Sequence, residues 1–284
     1  MSGNIDVARS IAALRQQVAA WRAQGERVGL VPTMGALHAG HLALVAAAQA
    51  QCRRVVVSIF VNPKQFGPRE DFAAYPRPES DDLSKLTEAA VDLVWMPSVD
   101  EMYPDGFTTT ISLGGPAEPL EGAHRQRHFD GVATVVCKLL TQVAPDAAFF
   151  GEKDYQQLLV VRRMARDLDL PVEIIGVPTV REPDGLALSS RNVYLSPEER
   201  RVAPTLNHVM REAEAAIGQG TPPAAALARA LLELGEAGFA VEYLELRDAE
   251  TLAPVTAKPS RPARLLIAAR LGRTRLIDNI AVAF

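Results

Sequence analysis

An α/β fold is what this 284-residue sequence predicts: a parallel sheet covered on both faces, followed by a smaller α+β domain. Three observations carry that reading. Short, uniformly apolar segments alternate with helical ones over residues 1–178, the pattern of strands buried on both sides. The unusual residues cluster just after those apolar segments, at Thr33–His41, Asn62–Phe66 and Gly151–Gln157, where ligands sit in open parallel sheets. Over residues 179–284 the texture shifts to a polar loop, Ala- and Leu-rich helices and a terminal hairpin.

In chain order, Ile11, Leu14, Val18 and Trp21 recur at steps of three and four, so residues 8–23 read as an amphipathic helix. Val28–Val31 is a strand, 40–51 a helix, and Arg54–Val61 a second strand rich in β-branched residues. Ser80–Ala90 reads as a helix, Val91–Met96 as a strand, and the alternating Thr108–Leu113 as an edge strand. Gly131–Gln142 is a helix, Ala147–Phe150 a buried strand, Tyr155–Leu168 a helix and Val172–Val177 a strand. Arg181–Asn192 is a polar loop; Ser196-Pro197-Glu198-Glu199 then launches a helix, with serine as N-cap and proline at the first helical position. Residues 222–237 are helical, and Val241–Leu246, Arg264–Ala269 and Arg275–Val282 are strands, the last two joined by a turn at Leu271–Thr274. Ala257–Pro262 is proline-bearing and expected to be exposed.

Composition narrows the function classes. A hydrophobic share of 48% and a charged share of 23% are ordinary for a globular chain. A net charge of −4 disfavours a nucleic-acid partner held by phosphate neutralisation, though not a small anion held by a local basic cluster. Two cysteines, Cys52 and Cys137, argue against a disulfide scaffold or a thiolate metal site. Residues 1–10 are mixed and polar, and no apolar run approaches a membrane span, so a cytoplasmic protein is expected.

The chemistry concentrates in Val31-Pro32-Thr33-Met34-Gly35-Ala36-Leu37-His38-Ala39-Gly40-His41. A strand, a glycine-bearing turn and a helix N-terminus converge backbone N–H groups and a positive dipole end, which makes an anion site. Gly40 lets a ligand approach the backbone, and His38 and His41 can reach one phosphate from the same side, although one could equally be an N-cap or loop histidine with a structural hydrogen bond. This is the HxGH arrangement of nucleotidyl transferases. Lys153 in Gly151-Glu152-Lys153-Asp154 suits a phosphate and Asp154 a ribose, although the string also reads as a plain helix start. Ser189-Ser190-Arg191-Asn192 offers hydroxyls and a guanidinium for polyphosphate, or is a surface turn. Asp81-Asp82 resembles a metal pair, yet at the first turn of a helix the dipole alone accounts for it. No GxxxxGK[ST] loop is present.

Taken together, Pro32–His41, Ser58–Phe66, Tyr75–Arg77, Met102–Pro104, His128–Val132, Phe149–Gln157 and Ser189–Asn192 resemble, in order, the pantoate–β-alanine ligase family. The resemblance implies a Rossmann-like domain (1–178) with a C-terminal α+β lid domain (179–284), typically as a homodimer. It implies condensation of pantoate with β-alanine through a pantoyl adenylate, using ATP and Mg²⁺ and releasing AMP and pyrophosphate. By position, His38, His41, Lys153, Ser189, Ser190 and Arg191 carry the catalytic phosphate contacts. Gly40, Phe150, Gly151, Asp154, Val180 and Leu188 complete the nucleotide site; Pro32, Met34, Asn62, Gln65, Gln157, Arg125 and His128 hold pantoate. The family usually has proline after that arginine, where this chain has Gln126; Ala39 and Lys64 are smaller departures. The rival readings are an adenylyl transferase for a different acceptor, which usually lacks the second domain and the paired glutamines, and a nucleotide-binding module without turnover.

Overall fold

The computed structural model describes residues 5–68, 70 and 72–283. The chain divides into two units. The first comprises residues 1–152 and 156–178; the second comprises Lys153–Tyr155 and Thr179–Phe284.

The first unit carries a parallel six-stranded sheet. In chain order its elements are β1 (Val7–Ala8), α1 (Ile11–Arg22), β2 (Val28–Thr33), α2 (Ala39–Gln49), β3 (Arg54–Ile59) and α3 (Glu79–Glu88). Then come β4 (Leu93–Trp95), α4 (Val99–Met102), α5 (Glu121–His124), α6 (His128–Val143), β5 (Ala147–Gly151), α7 (Tyr155–Asp167) and β6 (Glu173–Val177). Tyr155, the first residue of α7, belongs to the second unit. The strand order is β1-β4-β3-β2-β5-β6, so the chain steps outward from β2 through β3 to β4 and then returns to lay β5 on the other side of β2. The carboxyl ends of β2 and β5 therefore flank the point where strand order reverses, the usual place for a ligand in such a sheet.

Burial explains the strands. Val55, Val56 and Val57 of β3 and Leu30 and Val31 of β2 are fully buried, which an all-apolar β-branched run permits and an alternating one does not. One cluster packs Val31, Val57, Val94 and Phe149 of the sheet against Leu44, Val45 and Ala48 of α2 and Leu86 of α3. Helices α1 and α6 contact β2 and one another through other residues, and α6 buries Phe129, Val132, Val136, Leu139 and Leu140.

Four details depart from the sequence reading. The first helix starts at Ile11, capped by Ser10, because Val7–Ala8 pairs with β4 as an edge strand. Thr108–Leu113 forms no strand: the Ile111 amide donates to Thr134 Oγ1 and Ser112 to Asp130, so side chains of α6 take the place of a ladder. The polar loop after residue 180 contains a small hairpin pinned by the bridge Arg181↔Ala187. Ala257–Pro262 is exposed except for Pro259, which is buried.

The second unit begins, after that hairpin, with α8 (Pro197–Val202), α9 (Thr205–Gly218) and α10 (Pro223–Glu236). An antiparallel sheet follows, β7 (Phe239–Asp248), β8 (Ala263–Leu271) and β9 (Thr274–Val282), in the order β7-β8-β9. Ser196 caps α8 as the sequence suggests, and Glu199 returns the bond to complete a capping box. Leu206, Met210 and Ile217 of α9 and Leu234 of α10 close a separate core over Leu265, Ile267 and Ile280. Beneath it Arg181 makes a two-pronged ion pair with the buried Asp278, at 2.6 and 2.8 Å.

Candidate active site

The turn after β2 is built by its own histidines. His38 is the N-cap of α2, with extended backbone, and its Nδ1 accepts from the Gly40 amide at 3.1 Å. His41 Nδ1 accepts in return from the His38 amide at 3.3 Å. The pair forms a capping box in which imidazoles replace the usual serine and glutamate. Because each Nδ1 accepts an N–H, the proton of each neutral ring sits on Nε2. Their ring centroids lie 4.1 Å apart. The fold thus sets two Nε2–H donors beside a helix N-terminus, a combination suited to phosphate oxygens.

The approach to that cap is tightly bent. Gly35 has φ +80° and Ala36 φ +50°, a left-handed region that costs an alanine roughly 1 kcal/mol or more. The side chain of Asp82, from α3, accepts from the Ala36 and Leu37 amides, each at 2.8 Å. Asp82 is 1% exposed whereas Asp81 is exposed, so the two acids diverge rather than forming a pair. Among the described residues no group of three or more His, Cys, Asp or Glu is arranged to hold a metal ion.

A second set of groups gathers at the ends of β2 and β3. Asn62 is 1% exposed; its amide donates to Gln65 Oε1 at 3.0 Å and to the Gly131 carbonyl at 3.1 Å. Its Oδ1 accepts from the Tyr103 hydroxyl at 2.8 Å. Burial pushes the Tyr103 phenol well above its ordinary pKa, so it stays a donor. Gln65 Nε2 points at Met34 Sδ, 3.2 Å away, and Phe60 lies edge-on to Tyr103. The Gln65 amide beside Met34 sets a polar and an apolar group side by side, the mixed lining usual in small-molecule sites. Gln156 is committed to structure, bonding the Glu121 amide and the Pro116 and Pro119 carbonyls. The Gln157 side chain, half-buried, makes no hydrogen bond among the described residues.

Arg125 and His128 are joined in one hydrogen-bonded network. Arg125 makes a two-pronged pair with Glu70 at 2.8 and 2.7 Å and reaches Glu121 at 3.4 Å. Burial works to raise Glu70, but the Arg125 hydrogen bonds and charge outweigh it and hold that carboxyl below its ordinary range. His128 Nδ1 donates to the Gln65 carbonyl at 2.9 Å, and Nε2 faces Arg125 Nη1 at 3.0 Å as acceptor. His128 is thus the opposite tautomer from His38 and His41. Burial and the Arg125 charge push its pKa down to about 4. Arg127, by contrast, is exposed and pairs only with Asp130, at 3.3 Å, among the described residues.

The lowered His128 pKa makes a pH prediction. The folded state takes up fewer protons than the unfolded chain between the ordinary 6.5 and about 4, so the contribution is complete above pH 6.5 and is lost as pH falls toward 4. It amounts to roughly 3 kcal/mol at most. His128→Asn keeps a donor in place of Nδ1 without a titrating ring, and melts from pH 7.5 to 4.5 are expected to be flatter for the variant. An identical acid slope in both proteins would remove His128 as the cause.

In the second unit, Lys153 is tied through its backbone: its carbonyl accepts from Asn279 Nδ2 at 2.9 Å. Arg264 donates to Asn279 Oδ1 at 2.9 Å and stacks on the Tyr155 ring at 3.9 Å, while the Tyr155 hydroxyl donates to the Ala249 carbonyl. Ser189 Oγ caps the turn Ser190–Tyr194 by accepting from the Arg191 amide at 3.2 Å. The Leu188 amide bonds the Val180 carbonyl, holding those two residues across the small hairpin. Asp154 is exposed, and Phe150 and Gly151 end β5. Asp82, Tyr103, Glu70 and Asn279 escaped the sequence reading as supports, since each acts on residues distant in the chain.

Comparison with known proteins gives a consistent result. Residues 6–281 match the family model described as pantoate-beta-alanine ligase. The chain is 59% identical over 279 residues to the pantothenate synthetase of Rhizorhabdus wittichii, covering 98% of this chain and 99% of the relative. It is 55% identical to that of Roseobacter denitrificans, covering 98% of each. The crystal structure of pantothenate synthetase from Thermus thermophilus superposes with a TM-score of 0.92 at 50% identity, over 97% of this chain and 99% of that one. The pantoate-beta-alanine ligase of Francisella tularensis, complexed with beta-gamma ATP and beta-alanine, superposes with a TM-score of 0.84 at 32% identity over 97% of each chain.

Proposed function

We infer that this chain, which belongs to the pantoate–β-alanine ligase family, is an enzyme that condenses pantoate with β-alanine at the expense of ATP. The observation that carries the chemistry is the histidine capping box of α2, which fixes two Nε2–H donors beside a helix N-terminus.

A carboxylate is a poor acyl donor and must first be activated. We propose that a pantoate carboxylate oxygen attacks the α-phosphorus of ATP in line, the bond to the β-phosphate oxygen breaks, and pyrophosphate leaves. The neutral amine of β-alanine then attacks the acyl carbonyl; AMP departs with the bonding pair and the new amide nitrogen loses a proton. Such a transfer asks little covalent help of the protein, so the residues act by position and charge. His38 and His41 donate to oxygens on the reacting phosphorus. Lys153, Ser189, Ser190 and Arg191 are the groups whose chemistry suits the polyphosphate, with Gly40, Phe150, Gly151, Asp154, Val180 and Leu188 framing the nucleoside. Gln65 and Gln157 hold the pantoate hydroxyls, and Pro32, Met34 and Phe60 its methyl side. Asn62 and His128 fix Gln65 from its side chain and its backbone, and Arg125 locks His128.

We propose Mg²⁺ as the companion of ATP, supplying charge neutralisation on the phosphates. Both Asp82 oxygens are occupied by amides, and the proposed ion is held chiefly by the nucleotide. From the family resemblance we propose a cytoplasmic homodimer as the working form. Among the described residues no helix is long and apolar enough to cross a membrane.

The deciding experiment is exchange of labelled pyrophosphate into ATP with Mg²⁺ and without β-alanine. Exchange that requires pantoate is expected; absence of exchange, and of AMP release when β-alanine is added, would overturn the reading. Gln157→Ala is expected to raise the pantoate KM by about tenfold or more, the effect of a lost polar contact to substrate, with the ATP KM unchanged. A defect confined to ATP would instead move Gln157 to the nucleotide.

A further inference from the structure

We propose that Asp82, assisted by Lys85, is a positioning residue for the transfer step: it clamps the bent backbone that aims His38 and His41. The inference rests on the function argued above, and the clamp itself is read from geometry. Two adjoining residues, Gly35 and Ala36, hold φ of +80° and +50°. For Ala36 that conformation is unfavourable and persists only where its surroundings over-determine it. The determinant arrives from α3, 46 residues later in the chain: Asp82 Oδ2 accepts from Ala36 N and Oδ1 from Leu37 N, both at 2.8 Å. One turn further along α3, Lys85 Nζ donates to the Leu37 carbonyl at 2.8 Å. Both polar groups of Leu37 and the amide of Ala36 are thereby taken by a single helix. Leu37 itself is buried at 3% exposure, directly before the capping histidine.

The arrangement has no slack. A Cβ on Gly35 would stand 2.9 Å from Asp82 Oδ2, so the turn and the carboxylate are packed against each other. A relaxed turn would leave this buried carboxylate without the two amide donors that satisfy it. Without it, Ala36 is released toward ordinary φ, Leu37 and His38 shift, and the reciprocal bonds between His38 and His41 lose their register. A displacement of about 1 Å at transferring groups costs on the order of 10²-fold in rate even when the mutation lies away from the chemistry.

The test uses Asp82→Asn, which keeps volume but turns one acceptor into an NH₂ facing an amide N–H, with Asp81→Asn as control. Three readouts are taken: pantoate-dependent pyrophosphate exchange, its Mg²⁺ dependence, and ¹⁵N spectra of the five histidines without substrate. Asp82→Asn is expected to lower exchange kcat by about 10²-fold at unchanged pantoate KM. It is also expected to scramble the Nε2–H tautomers of His38 and His41 while His128 keeps its Nδ1–H signal. Adding Ala36→Gly, which removes the penalty for positive φ, is expected to restore part of the rate. Wild-type kcat with unchanged tautomers would overturn the proposal, and so would a rate recovered at high Mg²⁺, which would make Asp82 a metal ligand. Where Asp82→Asn does not fold, Lys85→Met gives the same readouts through the other half of the clamp. If wild-type protein shows neither exchange nor AMP release with β-alanine, the function fails while the histidine spectra still decide the clamp.

Discussion

His41→Ala is expected to lower pyrophosphate exchange by about 10²-fold or more while the protein stays folded. The rate term comes from removing a preorganised donor aimed at charge that grows in the transition state, for which losses of 10²–10³ are usual. The structural term is small. The ring also accepts the His38 amide at 3.3 Å, and loss of such a cap costs about 1 kcal/mol, a minor fraction of a domain's stability. Circular dichroism and exchange kinetics on the same preparation separate the two, and near-normal exchange would take His41 out of the mechanism.

Gly131→Ala is expected to damage pantoate use as severely, by a different route. A Cβ at that position would stand 2.2 Å from the Lys64 carbonyl oxygen and 2.7 Å from Gln65 Cα, both backbone atoms that cannot swing aside. Either α6 retreats or the turn Pro63–Gln65 moves, and either displacement pulls on the Asn62 bond to the Gly131 carbonyl and the His128 bond to Gln65. A stability loss of about 3 kcal/mol is expected, the upper end for overpacking, with the pantoate KM raised by about 10²-fold and the ATP KM little changed. Urea melts and substrate titrations check it; wild-type values in both would show that the helix yields without disturbing Gln65.

What the sequence makes legible here is what is local. The buried run Val55–Val57, the serine-proline start of α8 and the histidine turn each carry their cause within a few residues. Alternation at Thr108–Leu113 could not reveal that side chains of α6 would take its backbone bonds. Helix α9 has apolar residues at Leu206, Met210, Ala213 and Ile217, but its N-cap is Pro204, which has no side-chain cap to announce it. The candidate site divides in the same way. Its candidate ligand contacts stand in short strings, whereas Asp82, Tyr103 and Asn279 support those strings from 46, 41 and 126 residues away. Gln126, the departure beside Arg125, leaves the Arg125 network with Glu70 and His128 intact.

The three residues Lys153–Tyr155 bear on how this gene can be divided. Contiguous sequence would suggest a clean cut after Pro178, giving two pieces to express, shuffle or fuse separately. A piece starting at Thr179 would leave Asn279 without the Lys153 carbonyl and Arg264 without the Tyr155 ring. The larger piece would keep Lys153 but strand it from the unit that anchors its backbone. The two units are therefore not interchangeable modules. Recombination between relatives at that boundary must carry the tripeptide and its partners on β8 and β9 from the same parent.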